Sequence, residues 1–370
     1  MVLSSYTQPK VVLPETPLSS NPEHKKLVLE TLDDIYNFHF AEADIQIEKI
    51  KHKLPGHPIY YMMKAMNLDW QWEPMVDDKL KQKQIIAYLN KTLAGCDSIL
   101  NKKKKNDLEV MFINFTAHGF LARVNSILGN YMDAVDHSMS AYNSVKKGFA
   151  LKEKFYDFYF STGMYNYYRE KYPELRPIIK PFAAMLSDGD PELGIKQLRF
   201  AYAHSMFSKI ESANYLINIF YKYESNPAEA FGIAEEVNRK YPDNLFFVVK
   251  HVEGIMYTGK NKNEALRLCT QLINSNVLYY QMCGYFFKAQ KLYTEGKVEE
   301  AFALDYKAFK MSEKLVNLKD NLPAYIHLLL GKIYEKKNLK KEAANHFKIA
   351  ANKAEYPTTK KEAQQYLKKY

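Results

Sequence analysis

Cysteine is scarce. Cys96, Cys269 and Cys283 are odd in number and share no Cys-x-x-Cys spacing, so neither a disulfide framework nor a zinc site is indicated. They read as small buried apolar residues. Long hydrophobic runs are also missing: the strongest is LFFVV at 245–249, far short of the roughly 18 to 20 apolar residues of a membrane-spanning helix. The glycine-rich phosphate loop, the dinucleotide-binding glycine fingerprint, the Gly-x-Ser-x-Gly elbow and the His-Glu-x-x-His zinc motif do not occur, which leaves nucleotide, hydrolase and metalloprotease chemistry without their usual sequence support. No catalytic residue, cofactor or metal ligand is assigned.

What is present suits a packed helical protein. The 370 residues are 47% hydrophobic, and 29 Tyr with 21 Phe allow helices to pack through large aromatic side chains. The net charge of +10 would suit nucleic acid or an anionic membrane surface. Lysine is spread over most of the helical patterns, however, and the densest run, Lys102-Lys103-Lys104-Lys105, lies between two of them and reads as a solvated loop. That distribution disfavours nucleic acid. The first 22 residues carry Pro9, Pro14, Pro17 and Pro22 without the charged-then-apolar pattern of a signal peptide, and read as an extended tail. The chain as given is expected in the cytoplasm, or in the periplasm if a leader has been removed.

Periodicity is helical almost throughout, and the useful signal is a longer period. In LLLGKIYEKKNLKKEAANHFKIA, Gly331, Tyr334, Ala343, Phe347 and Ala350 hold the small-aromatic-small-aromatic-small spacing of a tetratricopeptide repeat. Two paired helices approach closely only where a small residue on one faces a large residue on the other, so small residues recur at fixed offsets. Ala230, Ala265 and Ala301 are spaced by 35 and 36 residues, near the 34 of the repeat, and the step to Ala343 is 42. Upstream, Ala43, Ile47 and Ile50, then Gly129, Ala134 and Ala141, then Gly194, Leu198 and Ala201 hold second-helix offsets more loosely.

On these residues the chain resembles a tetratricopeptide-repeat protein from Pro22 to Tyr370. Its middle, YDFYFSTGMYNYYREKYPELRPIIKPFAAMLSDGDPELGIKQL followed by ANYLINIFYKYE and KYPDNLFF, is similar to bacterial relatives of the tetratricopeptide-repeat-39 family. The resemblance implies an all-helical scaffold without established catalytic residues. The expected fold is an all-α solenoid of antiparallel helix pairs in a right-handed superhelix: a tail over 1–22, a less regular part over 23–148 and a more regular part over 149–370.

Several local features invite a sharper reading. SDGDPELG could suggest a calcium loop, but the twelfth residue from Asp188 is Arg199 and from Asp190 is Ala201, where a bidentate Glu is required. Asp190 as N-cap, Pro191 at the first position and Glu192 at the positive end of the helix dipole account for the stretch as a helix start. Asp77-Asp78 reads the same way, and adjacent carboxylates such as Asp33-Asp34 and Glu235-Glu236 point in different directions on a helix. The histidines read as satisfied or surface residues. Trp70, Trp72, Phe246 and Phe247 read as core.

The expected function is the capture of a protein or peptide segment on the concave face. Asn214 and Asn218, one turn apart, are suited to bonding a peptide backbone, and the repeat offsets aim Tyr215, Ile219, Lys222, Phe286, Gln290, Tyr293, Tyr325, Leu328 and Lys332 inward. The set is not the Lys/Asn row of the carboxylate-clamp members of the repeat family. It suits an apolar segment with acidic groups, or else the chain's own C-terminal helix, TTKKEAQQYLKKY, packed there as a cap. The alternative function is a small-ligand or enzymatic pocket around Tyr165, Tyr167 and Asp188.

Overall fold

The computed structural model describes residues 18–72, 78–103, 107–175, 180–315, 318 and 320–370, and every regular element among them is a helix. Most of the Pro-rich tail, Pro74 with Asp77, Lys104 and Lys105, and residues 176–179 of the proline-containing segment lie outside the described residues. In the N-terminal half the helices are α1 (Pro22–Tyr36), α2 (Phe40–Lys53), α3 (Ile59–Trp72), α4 (Lys79–Lys103), α5 (Leu108–Leu128), α6 (Tyr131–Leu151), α7 (Phe158–Leu175), the short α8 (Lys180–Ala183) and α9 (Pro191–His204). They continue as α10 (Lys209–Lys222), α11 (Pro227–Lys240), α12 (Leu245–Thr258), α13 (Lys262–Ile273), α14 (Leu278–Thr294), α15 (Val298–Ser312), α16 (Leu322–Lys336), α17 (Lys340–Lys353) and α18 (Pro357–Leu367).

Short polar residues start several of these helices, and glycines end two of them. Asp190 accepts a hydrogen bond from the Leu193 N–H at 3.0 Å, with Pro191 in the first turn, so SDGDPELG is a helix start. The neighbouring Asp188 carboxylate pairs instead with Arg169 at 3.3 Å. Asp107, Asn226 and Asn244 cap α5, α11 and α12 in the same way. Asp78 caps α4 through the Lys81 N–H at 2.9 Å. Gly129 (φ 83°) and Gly259 (φ 69°) close α5 and α12 in the left-handed conformation that other residues rarely adopt.

Neighbouring helices pack as a helical repeat requires: α5 on α6, α7 on α9, α11 on α12, α13 on α14, α14 on α15 and α16 on α17, with α14 also touching α12 and α16. Ala230, Ala265, Ala301 and Ala343 are at most 1% exposed. A Cβ on Gly331 would lie 2.6 Å from the Phe347 ring, which is the small-against-large contact the spacing demands. One position breaks the pattern. Asp305 follows Ala301 by four residues, as Phe347 follows Ala343, yet it places a fully buried carboxyl there with no partner on either oxygen. Burial pushes its pKa well above the usual carboxylate value.

By contact the chain divides into two compact units, and helices α1 to α4 contribute residues to both. The first comprises residues to Thr31, Ile45–Lys64 and Ile86–Lys209. In it Phe112, Phe155, Phe158 and Phe207 form an aromatic core with centroid distances of 5.8 to 6.4 Å. The buried Asp157 accepts from the backbone N–H groups of Met206, Phe207 and Ser208 at 2.7 to 3.1 Å, tying the start of α7 to the turn before α10. The second comprises Leu32–Asp44, Ala65–Ile85 and Ile210–Tyr370. There Trp70 packs between Tyr36, Phe246 and Phe247, and Glu211 accepts from both the Tyr36 hydroxyl and the Trp70 indole at 3.2 Å. Trp70, Trp72 and Phe247 are core residues, as their helical spacing suggests.

Candidate peptide-binding face

Three helices of the second unit, α10, α14 and α16, carry the predicted face, and α12 packs against α14 beside it. Its apolar members are its foundation: Ile219, Phe286 and Leu328 are at most 5% exposed and belong to the core. Asn214, Tyr215, Asn218, Lys222, Gln290, Tyr293, Tyr325 and Lys332 are half-buried. Asn214 and Asn218 are engaged with each other, the Asn218 amide donating to the Asn214 backbone and side-chain oxygens at 2.9 and 3.0 Å. Lys336 lies 4.5 Å over the Tyr293 ring.

The C-terminal segment lies on this face. The Asn321 Oδ1 accepts from the backbone N–H groups of Glu355 and Tyr356, both at 3.0 Å, and its Nδ2 donates to Thr359 at 2.8 Å. Two of the predicted lysines meet acids of the segment, Lys222 with Glu355 at 2.9 Å and Lys332 with Glu362 at 2.6 Å. The Tyr356 ring packs edge-on to Tyr325 at 6.0 Å, Tyr366 stacks on Phe347 at 4.6 Å, and Ala363 shares a buried cluster with Leu328. The chain's own C-terminal segment, one of the two occupants left open by the sequence, meets Lys222, Tyr325 and Lys332 of the face.

Beneath it runs a polar network that local spacing did not indicate. Glu253, 4% exposed on the apolar α12, accepts from the Tyr325 hydroxyl at 3.0 Å and sits 3.5 Å from the Lys250 ammonium. Tyr257 bonds to Tyr325 through their hydroxyls, Lys250 donates to the Tyr356 hydroxyl at 3.4 Å, and the Tyr221 hydroxyl donates to the Lys250 carbonyl at 3.0 Å. Burial, then the Glu253 charge, raises the pKa of Tyr221, Tyr325 and Tyr356 well above the ordinary value, and pushes Tyr257 up to about 12. These hydroxyls are therefore protonated donors at neutral pH. Tyr257 is 43% exposed, so the network reaches solvent. The only sequence signal was a Lys and a Glu three residues apart inside an otherwise apolar helix.

The alternative site is not assembled as one group. Tyr167 is fully buried, the Tyr165 hydroxyl donates to the Ser187 carbonyl while its ring stacks on Tyr142 at 5.2 Å, and the Asp188 side chain is 97% exposed. Elsewhere, Glu235, His251 and Glu264 converge from α11, α12 and α13, a set no short motif announces. No family model and no curated protein matches the chain. No helix among the described residues is long and apolar enough to cross a membrane.

Proposed function

We propose that the protein is a non-catalytic scaffold of the tetratricopeptide type, its pairs wound in a right-handed superhelix, which captures a protein or peptide segment on the face carried by α10, α14 and α16. The observation that carries the reading is the seat of residues 355 and 356: one asparagine reads two successive backbone N–H groups while flanking lysines take the acids. That combination is the chemistry of peptide recognition, with backbone bonds giving register and side-chain contacts giving selectivity. It favours a partner with an aromatic anchor flanked by acidic groups. Such a partner would compete with the C-terminal segment for this face.

Affinity capture from the native source, with the intact chain and its Tyr215→Ala and Tyr325→Ala variants as parallel baits, tests the reading. A partner held by the wild type and weakened at least tenfold in the variants, about 1.4 kcal/mol, supports it. A partner retained equally by all three places the binding surface elsewhere.

A further inference from the structure

Three consecutive helices of the second unit bring an imidazole and two carboxylates together. The ligand atoms of Glu235 (α11), His251 (α12) and Glu264 (α13) lie within 4.8 Å of one another. His251 is 2% exposed and its Nε2 has no hydrogen-bond partner, a costly state for a buried ring nitrogen. Its Nδ1 lies 2.9 Å from the Asn238 amide. With the amide oxygen turned toward a protonated Nδ1, Asn238 fixes the tautomer whose Nε2 carries a lone pair, as outer-shell partners of metal-bound histidines do. The Asn261 amide donates to Glu235 at 2.8 Å and so orients the first carboxylate. A pocket of about 590 Å³, lined by Gly259, Asn261, Asn263 and Glu264, opens beside the cluster and offers a solvent path and room for water ligands.

We infer that Glu235, His251 and Glu264 form a binding site for a divalent first-row transition ion. One nitrogen and two carboxylate oxygens suit zinc and its neighbours and disfavour calcium, which takes oxygen ligands alone. Metal–ligand distances near 2.0 to 2.2 Å require the three atoms to close by about 1 Å, which rotation of the two glutamate side chains supplies. The closure has a competitor: Arg267 holds Glu264 at 2.9 Å and Arg239 approaches Glu235 at 3.9 Å. Bound metal would clamp α11, α12 and α13 to one another.

The test is calorimetric titration of the chelator-stripped full-length protein with zinc chloride, alongside thermal unfolding with and without the ion. One zinc per chain is expected, with the unfolding midpoint raised by several degrees. Glu235→Gln and Glu264→Gln, neither of which empties the core, should each weaken binding at least tenfold, and His251→Gln should abolish it. Arg267→Ala removes the competitor but no ligand, and should tighten binding; a purely structural role for the cluster predicts no such gain. Absence of binding at millimolar zinc overturns the inference. So does zinc binding that both glutamine variants leave unchanged, which would assign the ion to another place such as the His118/His137 or the His327/His346 pair, whose Nδ1 atoms lie 3.1 and 2.9 Å apart.

Discussion

Replacing Gly331 by alanine sets two opposed effects against each other. Alanine is the better helix former, favoured over glycine in a helix interior by about 1 kcal/mol. The new Cβ, however, would lie 2.6, 2.7 and 3.0 Å from Cε1, Cδ1 and Cζ of Phe347, where carbon–carbon contact needs roughly 3.5 to 4 Å. The ring has no retreat: Phe347 is fully buried, with Tyr366 stacked on its other side at 4.6 Å and an interplanar angle of 13°. Overpacking of this kind costs about 1 to 3 kcal/mol, so the net expectation is a loss of about 1 kcal/mol. Gly232 in α11 is the control, because a Cβ there meets nothing within 4 Å and the helix preference acts alone. Gly232→Ala should therefore stabilise by up to about 1 kcal/mol. Both glycines lie in the second unit together with Trp70 and Trp72, the only tryptophans, so tryptophan fluorescence during urea unfolding reads the relevant transition. Phe347→Leu should destabilise by itself yet make Gly331→Ala neutral or favourable, a coupling of about 1 kcal/mol or more. Equal gains from both glycine substitutions would refute the claim that α16 closes on Phe347.

Other perturbations test other contacts. Ala343→Leu should cost about 1 to 3 kcal/mol by the same overpacking, read as a lower urea midpoint; an unchanged midpoint would contradict the repeat register. His327 and His346 share an Nδ1–Nδ1 contact of 2.9 Å; burial and then the partner ring lower the His327 pKa to about 4, and burial lowers that of His346. Because the fold disfavours their protonation, this contribution is complete above about pH 6.5 and is lost as pH falls toward about 4, by up to about 3 kcal/mol for His327. A His327→Gln variant should lose less stability than wild type between pH 7 and pH 5, and an identical pH profile would exclude the pair as the cause. Asp305, whose raised pKa means the fold favours the protonated form, penalises stability as pH rises above its unfolded value; Asp305→Asn should raise the midpoint at pH 7 and not near pH 4. Deleting residues 358–370 should destabilise the second unit and expose apolar surface to a reporter dye, since α18 covers Leu328 and Phe347; no change would mean that the face is not self-covered.

Elements whose determinants lie within a few residues were legible in the chain itself. Asp190 caps α9 because a short oxygen-bearing side chain three residues before a free N–H bonds it whatever the surroundings, and Ala230, Ala265, Ala301 and Ala343 are buried because close helix approach admits only small side chains at those offsets. The face was legible only as a list of helix positions. Which of its members are surface and which are foundation depended on how neighbouring helices close over them, and so Ile219, Phe286 and Leu328 proved to be core. Tertiary structure alone brought the C-terminal segment to this face, because Asn321 meets residues 355 and 356 through backbone groups that every residue except proline offers alike. It alone buried Asp305, whose position in the repeat is apolar elsewhere, as Ala234, Cys269 and Phe347. It also alone gathered Glu235, His251 and Glu264: they sit on three different helices, and the distance between such atoms is set by helix packing and not by spacing along the chain.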